Sequence, residues 1–161
     1  MRTVFQELSR GEKPWPLTLS GAPGLGKTCA GLLLLDYAGG LYFTACTLAD
    51  TVLQAAKGQL LTPRERRVIG ETMLWHEIGQ AALVVLDDLG ARERVGDWQY
   101  QQVKRLLDDR EGMPLVILTN LDLETLDKLY DERITSRLAG GTYLRLEGVD
   151  RRLEESAGHA I

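Results

Sequence analysis

Short apolar runs rich in strand formers alternate along the chain with longer segments whose apolar residues recur every three or four positions. This is the pattern of βαβ units around a parallel sheet. Leu17-Thr18-Leu19-Ser20 reads as a strand introduced by Pro14 and Pro16, and residues 28–37 as a helix closed by Gly39-Gly40. A second strand is expected over 41–46. A helix over 48–57 then places Leu48, Val52 and Ala55/Ala56 on one side. Thr62-Pro63-Arg64-Glu65 has the make-up of a capping box with proline at the first helical position, and predicts a helix running towards Ile78 with Gly70 as a point of division. Residues 82–86 are wholly apolar, as suits a central strand covered on both faces. Asp97 is placed to cap a helix with Tyr100, Val103 and Leu107 facing inward. Gly112 closes that helix, and Pro114 leads into the strand Leu115–Thr119. Two short helices, 122–130 and 132–138, precede a last strand over 142–146.

Composition narrows the class. With 161 residues the chain has length for one domain with a sizeable core. That domain is expected over 1–148, with a polar tail over 149–161. An apolar fraction of 44% and a charged fraction of 26% are those of a globular protein. No apolar run approaches the roughly 20 residues of a membrane span. The first residues, Met1-Arg2-Thr3-Val4-Phe5-Gln6-Glu7, lack the apolar stretch of a secretory signal, so a cytoplasmic location is the expectation. Cys29 and Cys46 sit in apolar segments and read as small buried thiols. A net charge of -4 means that any phosphate backbone must be met by a local basic patch.

Four segments carry chemistry. Gly21-Ala22-Pro23-Gly24-Leu25-Gly26-Lys27-Thr28, with Cys29 next, matches the P-loop pattern at every position. Its glycines let backbone N–H groups turn inward around phosphates at a helix N-terminus. Lys27 is placed to reach the β and γ phosphates, and Thr28 offers a hydroxyl to Mg²⁺. Leu83-Val84-Val85-Leu86-Asp87-Asp88 is an apolar strand ending in two carboxylates: Asp87 for the metal, Asp88 to polarise an attacking water. Asn120, closing Leu115-Val116-Ile117-Leu118-Thr119, either makes a local turn or, if its strand lies between those bearing Lys27 and Asp87, positions the lytic water. Arg133 and Arg137, one helical turn apart, either pair with Asp131 and Glu132 or supply an arginine finger to a neighbour's phosphate.

Together these segments resemble the core of an AAA+ ATPase over about residues 16–152. More narrowly, Val85-Leu86-Asp87-Asp88-Leu89-Gly90, Ile117-Leu118-Thr119-Asn120-Leu121 and Asp131-Glu132-Arg133-Ile134-Thr135-Ser136-Arg137-Leu138 resemble the replication-initiator and helicase-loader clade, with its DnaC-like and IstB-like proteins and the more distant DnaA. The resemblance implies a three-layer α/β/α sandwich with a parallel five-stranded sheet of order 5-1-4-3-2. It makes Lys27 and Thr28 the Walker A pair, Asp87 and Asp88 the Walker B pair, and Asn120 sensor 1. Arg137 becomes a finger acting in trans, with Arg133 as its auxiliary. ATP and Mg²⁺ are the implied cofactors, and self-association, a replicative helicase or a transposase the implied partners. Asp88 stands where many AAA+ proteins have Glu, so slow turnover is expected. The helical lid is expected to be small or missing, with Arg151 either standing in for its sensor arginine or solvated. The N-terminal domain by which loaders grip their helicase is also expected to be absent. Lys57, Arg64, Arg66 and Arg67 fall where the clade meets single-stranded DNA, and form either a phosphate-contacting cluster or a solvated face. Trp75, near His76, reads as core, and Trp15 either borders adenine or simply packs.

Three functions compete. One is an ATP-driven switch or loader acting on DNA or a DNA-bound partner. Another is an adaptor that binds ATP only to order an interface. A small-molecule P-loop kinase is the third, disfavoured because no acceptor motif is found and the Asp-Asp and Thr-Asn pairs favour water as nucleophile.

Overall fold

The computed structural model describes residues 2–61, 68–91 and 94–148. In chain order the elements are α1 (Arg2–Ser9), β1 (Leu17–Ser20), α2 (Lys27–Ala38), β2 (Leu41–Thr44), α3 (Ala45–Ala56), β3 (Leu60–Leu61) and β4 (Val68–Ile69). There follow α4 (Glu71–Gln80), β5 (Val84–Leu89), α5 (Asp97–Asp109), β6 (Leu115–Thr119), α6 (Leu123–Leu129), α7 (Glu132–Gly140) and β7 (Thr142–Arg145). Five strands form one sheet in the order β2-β5-β6-β1-β7, with every pairing parallel. Counting those five strands along the chain and reading from the β7 edge, this is the expected order 5-1-4-3-2. β6 therefore lies between β5 and β1.

Alternation along the strands sorts their side chains into two cores, one on each face. Leu17, Leu19, Val85, Val116 and Leu118 pack with Phe5 and Leu8 of α1 and Leu34 of α2. Val84, Leu86, Leu115 and Ile117 face the other way, against Leu48, Val52, Ile78, Leu106, Leu126 and Ile134 from the remaining helices. The result is a three-layer α/β/α sandwich. α2 sits close on the sheet because Gly31 has no side chain; a Cβ there would lie 2.9 Å from Leu118 Cδ1 and 3.1 Å from Val85 Cγ1.

Local chemistry moves several predicted boundaries. β2 stops at Thr44 instead of running to 46, because Thr44 and Thr47 cap each other: Thr47 N donates to Thr44 Oγ1 at 3.0 Å and Thr44 N to Thr47 Oγ1 at 2.8 Å. α3 thus starts at Ala45, three residues before the expected 48. The helix expected from Thr62 towards Ile78 is not continuous: Val68–Ile69 pairs antiparallel with Leu60–Leu61, and helix begins only at Glu71. Thr62-Pro63-Arg64-Glu65 itself lies outside the described residues. α5 is capped by Gly96, and Asp97 is its first residue, where its charge still favours the helix N-terminus. The strand expected over 82–86 runs instead from Val84 to Leu89. α1 was not expected; its two buried residues, Phe5 and Leu8, are too few to announce a helix by periodicity, and Phe5 is fixed edge-on to Trp15 and Tyr37. The thiols are not buried: Cys29 is exposed and Cys46 half-buried. On α2 the inward residues are Lys27, Gly31 and Leu34, a spacing that turns Cys29 outward.

Candidate functional site

The site is built at the C-terminal ends of β1, β5, β6 and β7. β1 is buried along its length and delivers the chain into the loop Gly21 to Gly26. Gly24 and Gly26 adopt φ of +80° and +79°, the left-handed region that favours glycine. Gly21 is fixed by proximity, since a Cβ would lie 2.5 Å from the Leu146 carbonyl oxygen after β7. Lys27, the first residue of α2, is buried, and its Nζ donates to the carbonyls of Gly21 at 2.7 Å and Ala22 at 2.8 Å. A lysine ammonium is thereby held in the mouth of a loop at a helix N-terminus, an arrangement suited to anionic phosphates.

On the neighbouring strand the two carboxylates sit in a β-bulge. Leu86 pairs with Ile117 and Leu89 with Thr119, so three steps along β5 match two along β6. A bulge re-aims side chains, and here it divides the pair. Asp87 points inward and is buried, while Asp88 is exposed in a left-handed conformation at φ +55°. Asp87 Oδ2 accepts from Thr28 Oγ1 at 2.7 Å and from Tyr42 Oη at 2.8 Å, and Oδ1 accepts from the Asp88 backbone N–H at 2.7 Å. The Tyr42 phenol is held well above its ordinary value, first by partial burial and then by the Asp87 hydrogen bond and the charges of Asp87 and Asp88.

Asn120 follows β6 and is exposed above the sheet. Its backbone is pinned on both sides. Thr119 Oγ1 donates to Leu89 O at 2.7 Å and accepts from Leu121 N at 3.1 Å, while Ser20 Oγ donates to Leu121 O at 2.8 Å. With Gly21, Ala22, Leu25, Arg145 and Leu146, Asn120 lines a cleft of about 460 Å³ beside the P-loop. Arg145 was missed in the sequence. It ends β7 opposite Ser20, the last residue before the P-loop, and its charge acts with the Thr125 hydrogen bonds, which are the larger influence, to lower the Asp122 carboxyl. The signal that could have found it is a cation at the end of the strand flanking the P-loop strand.

The other candidates lie elsewhere. Arg137 forms ion pairs with Asp108 at 2.6 Å and Glu111 at 3.6 Å, not with Asp131 or Glu132. It lines a depression with Trp15, Pro16, Gly112 and Leu115, at the N-terminal ends of β1 and β6. One strand length separates it from the P-loop, on the order of 15 Å. Arg133 is exposed on α7, near Asp131. Trp15 packs on Phe5 and lines the depression with Arg137. Trp75 is core, with the Arg105 guanidinium 4.3 Å over its ring, and His76 is exposed. Lys57 is exposed at the end of α3. Arg64, Arg66, Arg67 and Arg151 lie outside the described residues.

The residues present fit magnesium and a nucleotide phosphate chain. Among the described residues no three His, Cys, Asp or Glu side chains converge to hold a metal unaided. Thr28 and Asp87 instead offer two hard oxygens already within hydrogen-bond distance. This is the kind of partial protein shell magnesium takes when phosphates and waters complete the coordination.

A P-loop between strand and helix, an acidic strand end joined to the P-loop threonine, and Asn120 just beyond the strand between them thus share one end of the sheet. Searches by sequence find no matching family model and no matching curated protein. Solved structures do match. AMPPCP-bound DnaA from Aquifex aeolicus superposes with a TM-score of 0.69 at 16% identity, covering 98% of this chain and 50% of that one. A replication initiator DnaA bound to AMPPCP and single-stranded DNA gives 0.69 at 18% identity, over 96% and 50%. DnaI gives 0.62 at 21% identity, over 94% and 81%. The chain thus spans about half the length of the DnaA structures, and its fold is that of the replication initiators. Among the described residues no helix is long and apolar enough to cross a membrane.

Proposed function

We propose that the chain binds ATP with magnesium and hydrolyses it slowly, as a switch or loader in DNA replication or transposition. The observation that carries this reading is the 2.7 Å hydrogen bond from Thr28 Oγ1 to Asp87 Oδ2, which joins the P-loop helix to the acidic strand end. When bound, magnesium neutralises phosphate charge during transfer. The chain's own residues do the rest. Lys27 exchanges its Gly21 and Ala22 carbonyls for phosphate oxygens, and the Gly24 and Gly26 turns present backbone N–H groups to the same anions. Asp88, free of the core and set one residue beyond Asp87, orients and polarises the attacking water. Asn120 holds that water from the other side of the cleft, and Arg145 adds positive charge to the same wall.

Arg137 serves a different molecule. It lies at the end of the sheet away from its own P-loop, so it reaches a phosphate only where one copy's lower end meets another's upper end. Such head-to-tail contacts generate rings or filaments. DnaA and DnaI share the fold, and a DnaA structure holds single-stranded DNA; contact with such DNA and with a helicase or transposase belongs to the same proposal. The adaptor reading has one observation in its favour, that Asp108 and Glu111 already satisfy Arg137 within the chain.

ATP hydrolysis per protomer, measured as protein concentration is raised with and without single-stranded DNA, tests the proposal. A rate that climbs with concentration and collapses in Lys27→Ala and Arg137→Ala supports a site completed in trans. A low, flat rate indifferent to Arg137→Ala refutes completion in trans by this chain alone and leaves a missing partner or the adaptor.

A further inference from the structure

Resting on the magnesium-nucleotide reading above, we propose that Tyr42 is a positioning residue for the magnesium carboxylate: its phenol fixes the Asp87 side chain so that one oxygen direction stays open to the metal shell. Tyr42 stands on β2 in register with Val85, two residues before Asp87 on the adjacent strand. Residues two apart on a strand share a face, and a diagonal neighbour at that offset is within reach of an aromatic side chain. The phenol uses that reach, donating to Asp87 Oδ2 at 2.8 Å.

An ionised carboxylate has about four lone-pair directions. Thr28 Oγ1 and Tyr42 Oη occupy two on Oδ2, and the Asp88 N–H occupies one on Oδ1. Among the described residues' contacts, one direction remains. Without the phenol, Oδ2 keeps only the threonine, whose oxygen must also face the metal, and the carboxylate regains rotational freedom. Packing does not account for the placement. Leu41 and Phe43 turn into the core, whereas Tyr42 faces away from it and is 37% exposed. Partners that orient a metal-binding group in this way typically contribute 10- to 100-fold in metal affinity.

The test is equilibrium binding of a fluorescent ATP analogue to the wild type and Tyr42→Phe, titrated with magnesium and repeated in EDTA. We expect the magnesium midpoint of Tyr42→Phe to rise about 10-fold, while its affinity in EDTA stays within about twofold of the wild type. Thermal unfolding of the same samples in EDTA monitors the fold, and Tyr37→Phe, on the exposed side of α2, leaves both titrations unchanged. An unshifted magnesium midpoint overturns the assignment. An equal loss of affinity with and without magnesium also overturns it, because the phenol would then only support the loop. A wild type that binds the analogue but shows no magnesium dependence refutes the metal site and Tyr42's role together, leaving the P-loop reading intact.

Discussion

The left-handed backbone of Asp88 makes its position a place where stability and activity separate. At φ +55° an L-residue places Cβ near its own carbonyl oxygen, at a cost of roughly 1–2 kcal/mol that glycine escapes and Asn or Asp lessens through short polar side chains. Asp88→Glu keeps the charge but adds a methylene, and is expected to destabilise the fold by about 0.5–1 kcal/mol. Asp88→Val, β-branched at a left-handed position, is expected to cost about 2 kcal/mol. Asp88→Asn is neutral or slightly stabilising, because the side chain is exposed and the backbone donor to Asp87 is retained. The same Asp88→Asn change removes the group proposed to polarise water, with an expected loss of about 10²- to 10⁴-fold in hydrolysis. Urea unfolding without nucleotide measures the first quantity and single-turnover hydrolysis the second. The order of stability is Gly, Asn, Asp, Glu, Val from highest to lowest. Valine tolerated as well as asparagine would refute the backbone argument, and full hydrolysis by Asp88→Asn would refute the catalytic one. The backbone argument also supplies a physical reason for Asp, not the longer Glu, at this place: a bulged, left-handed residue favours the shorter acid.

Further outcomes follow from other contacts. Gly40→Ala forces a Cβ to 1.9 Å from Leu83 O at φ +139°, so its urea midpoint should fall by the equivalent of about 3 kcal/mol or more. Asp131→Ala removes the acceptor of the Ile134 N–H that starts α7 and of the Tyr100 hydroxyl, costing about 1–2 kcal/mol in the same assay. The Asp131 carboxyl is held below its ordinary value, first by the Tyr100 hydrogen bond. Its stabilisation is therefore present above the unfolded value of 3.8, is lost as pH falls below it, and is missing from the acid limb of Asp131→Ala. Tyr130 runs the other way. Burial lifts its phenol to about 12, so the folded state keeps the proton while the unfolded chain releases it from 10 upward. Stability from this group should be constant below about pH 10 and decline by about 2 kcal/mol by pH 12, and Tyr130→Phe should flatten that decline in alkaline urea titrations.

Legibility along the sequence followed how local the determining physics is. The P-loop was readable because glycines, lysine and threonine at fixed spacing sit in one uninterrupted segment, and the parallel sheet puts that segment, Asp87 and Asn120 at the same end. The apolar strands Leu17–Ser20 and Leu115–Thr119 were readable to the residue, since both are fully buried and bounded by proline or a polar end. The bulge in β5 was not. Its extra residue is defined only against β6, whose paired residues lie 30 or 31 positions further along the chain, and so the opposite orientations of Asp87 and Asp88 were invisible. Tyr42 and Arg145 were hidden for the same reason: each reaches the site across a strand pairing, and neither belongs to a motif. The segment before α4 misled through a locally convincing capping signal that the short pairing of Leu60–Leu61 with Val68–Ile69 overrides.

The position of Arg137 follows from the topology of one parallel sheet. Parallel strands put all their C-terminal ends, and hence the P-loop, Asp87 and Asn120, on one side, whereas α7 descends to the other before β7 begins. An arginine late in α7 is thus excluded from its own site by topology, whatever its rotamer. What it must overcome to serve another copy is small: its pairs with Asp108 and Glu111 are partly exposed, and ion pairs of that kind contribute about 0–1 kcal/mol. Asp108→Asn should therefore leave the monomer's urea midpoint within about 1 kcal/mol of wild type. If the head-to-tail arrangement is right, it should also raise concentration-dependent hydrolysis by freeing the guanidinium. A lowered or unchanged rate at saturating protein would mean that Asp108 holds Arg137 ready for the neighbour, or that the neighbour never meets it. Adding Arg137→Ala to the Asp108→Asn background separates the two, since only an arginine in use has a rate to lose.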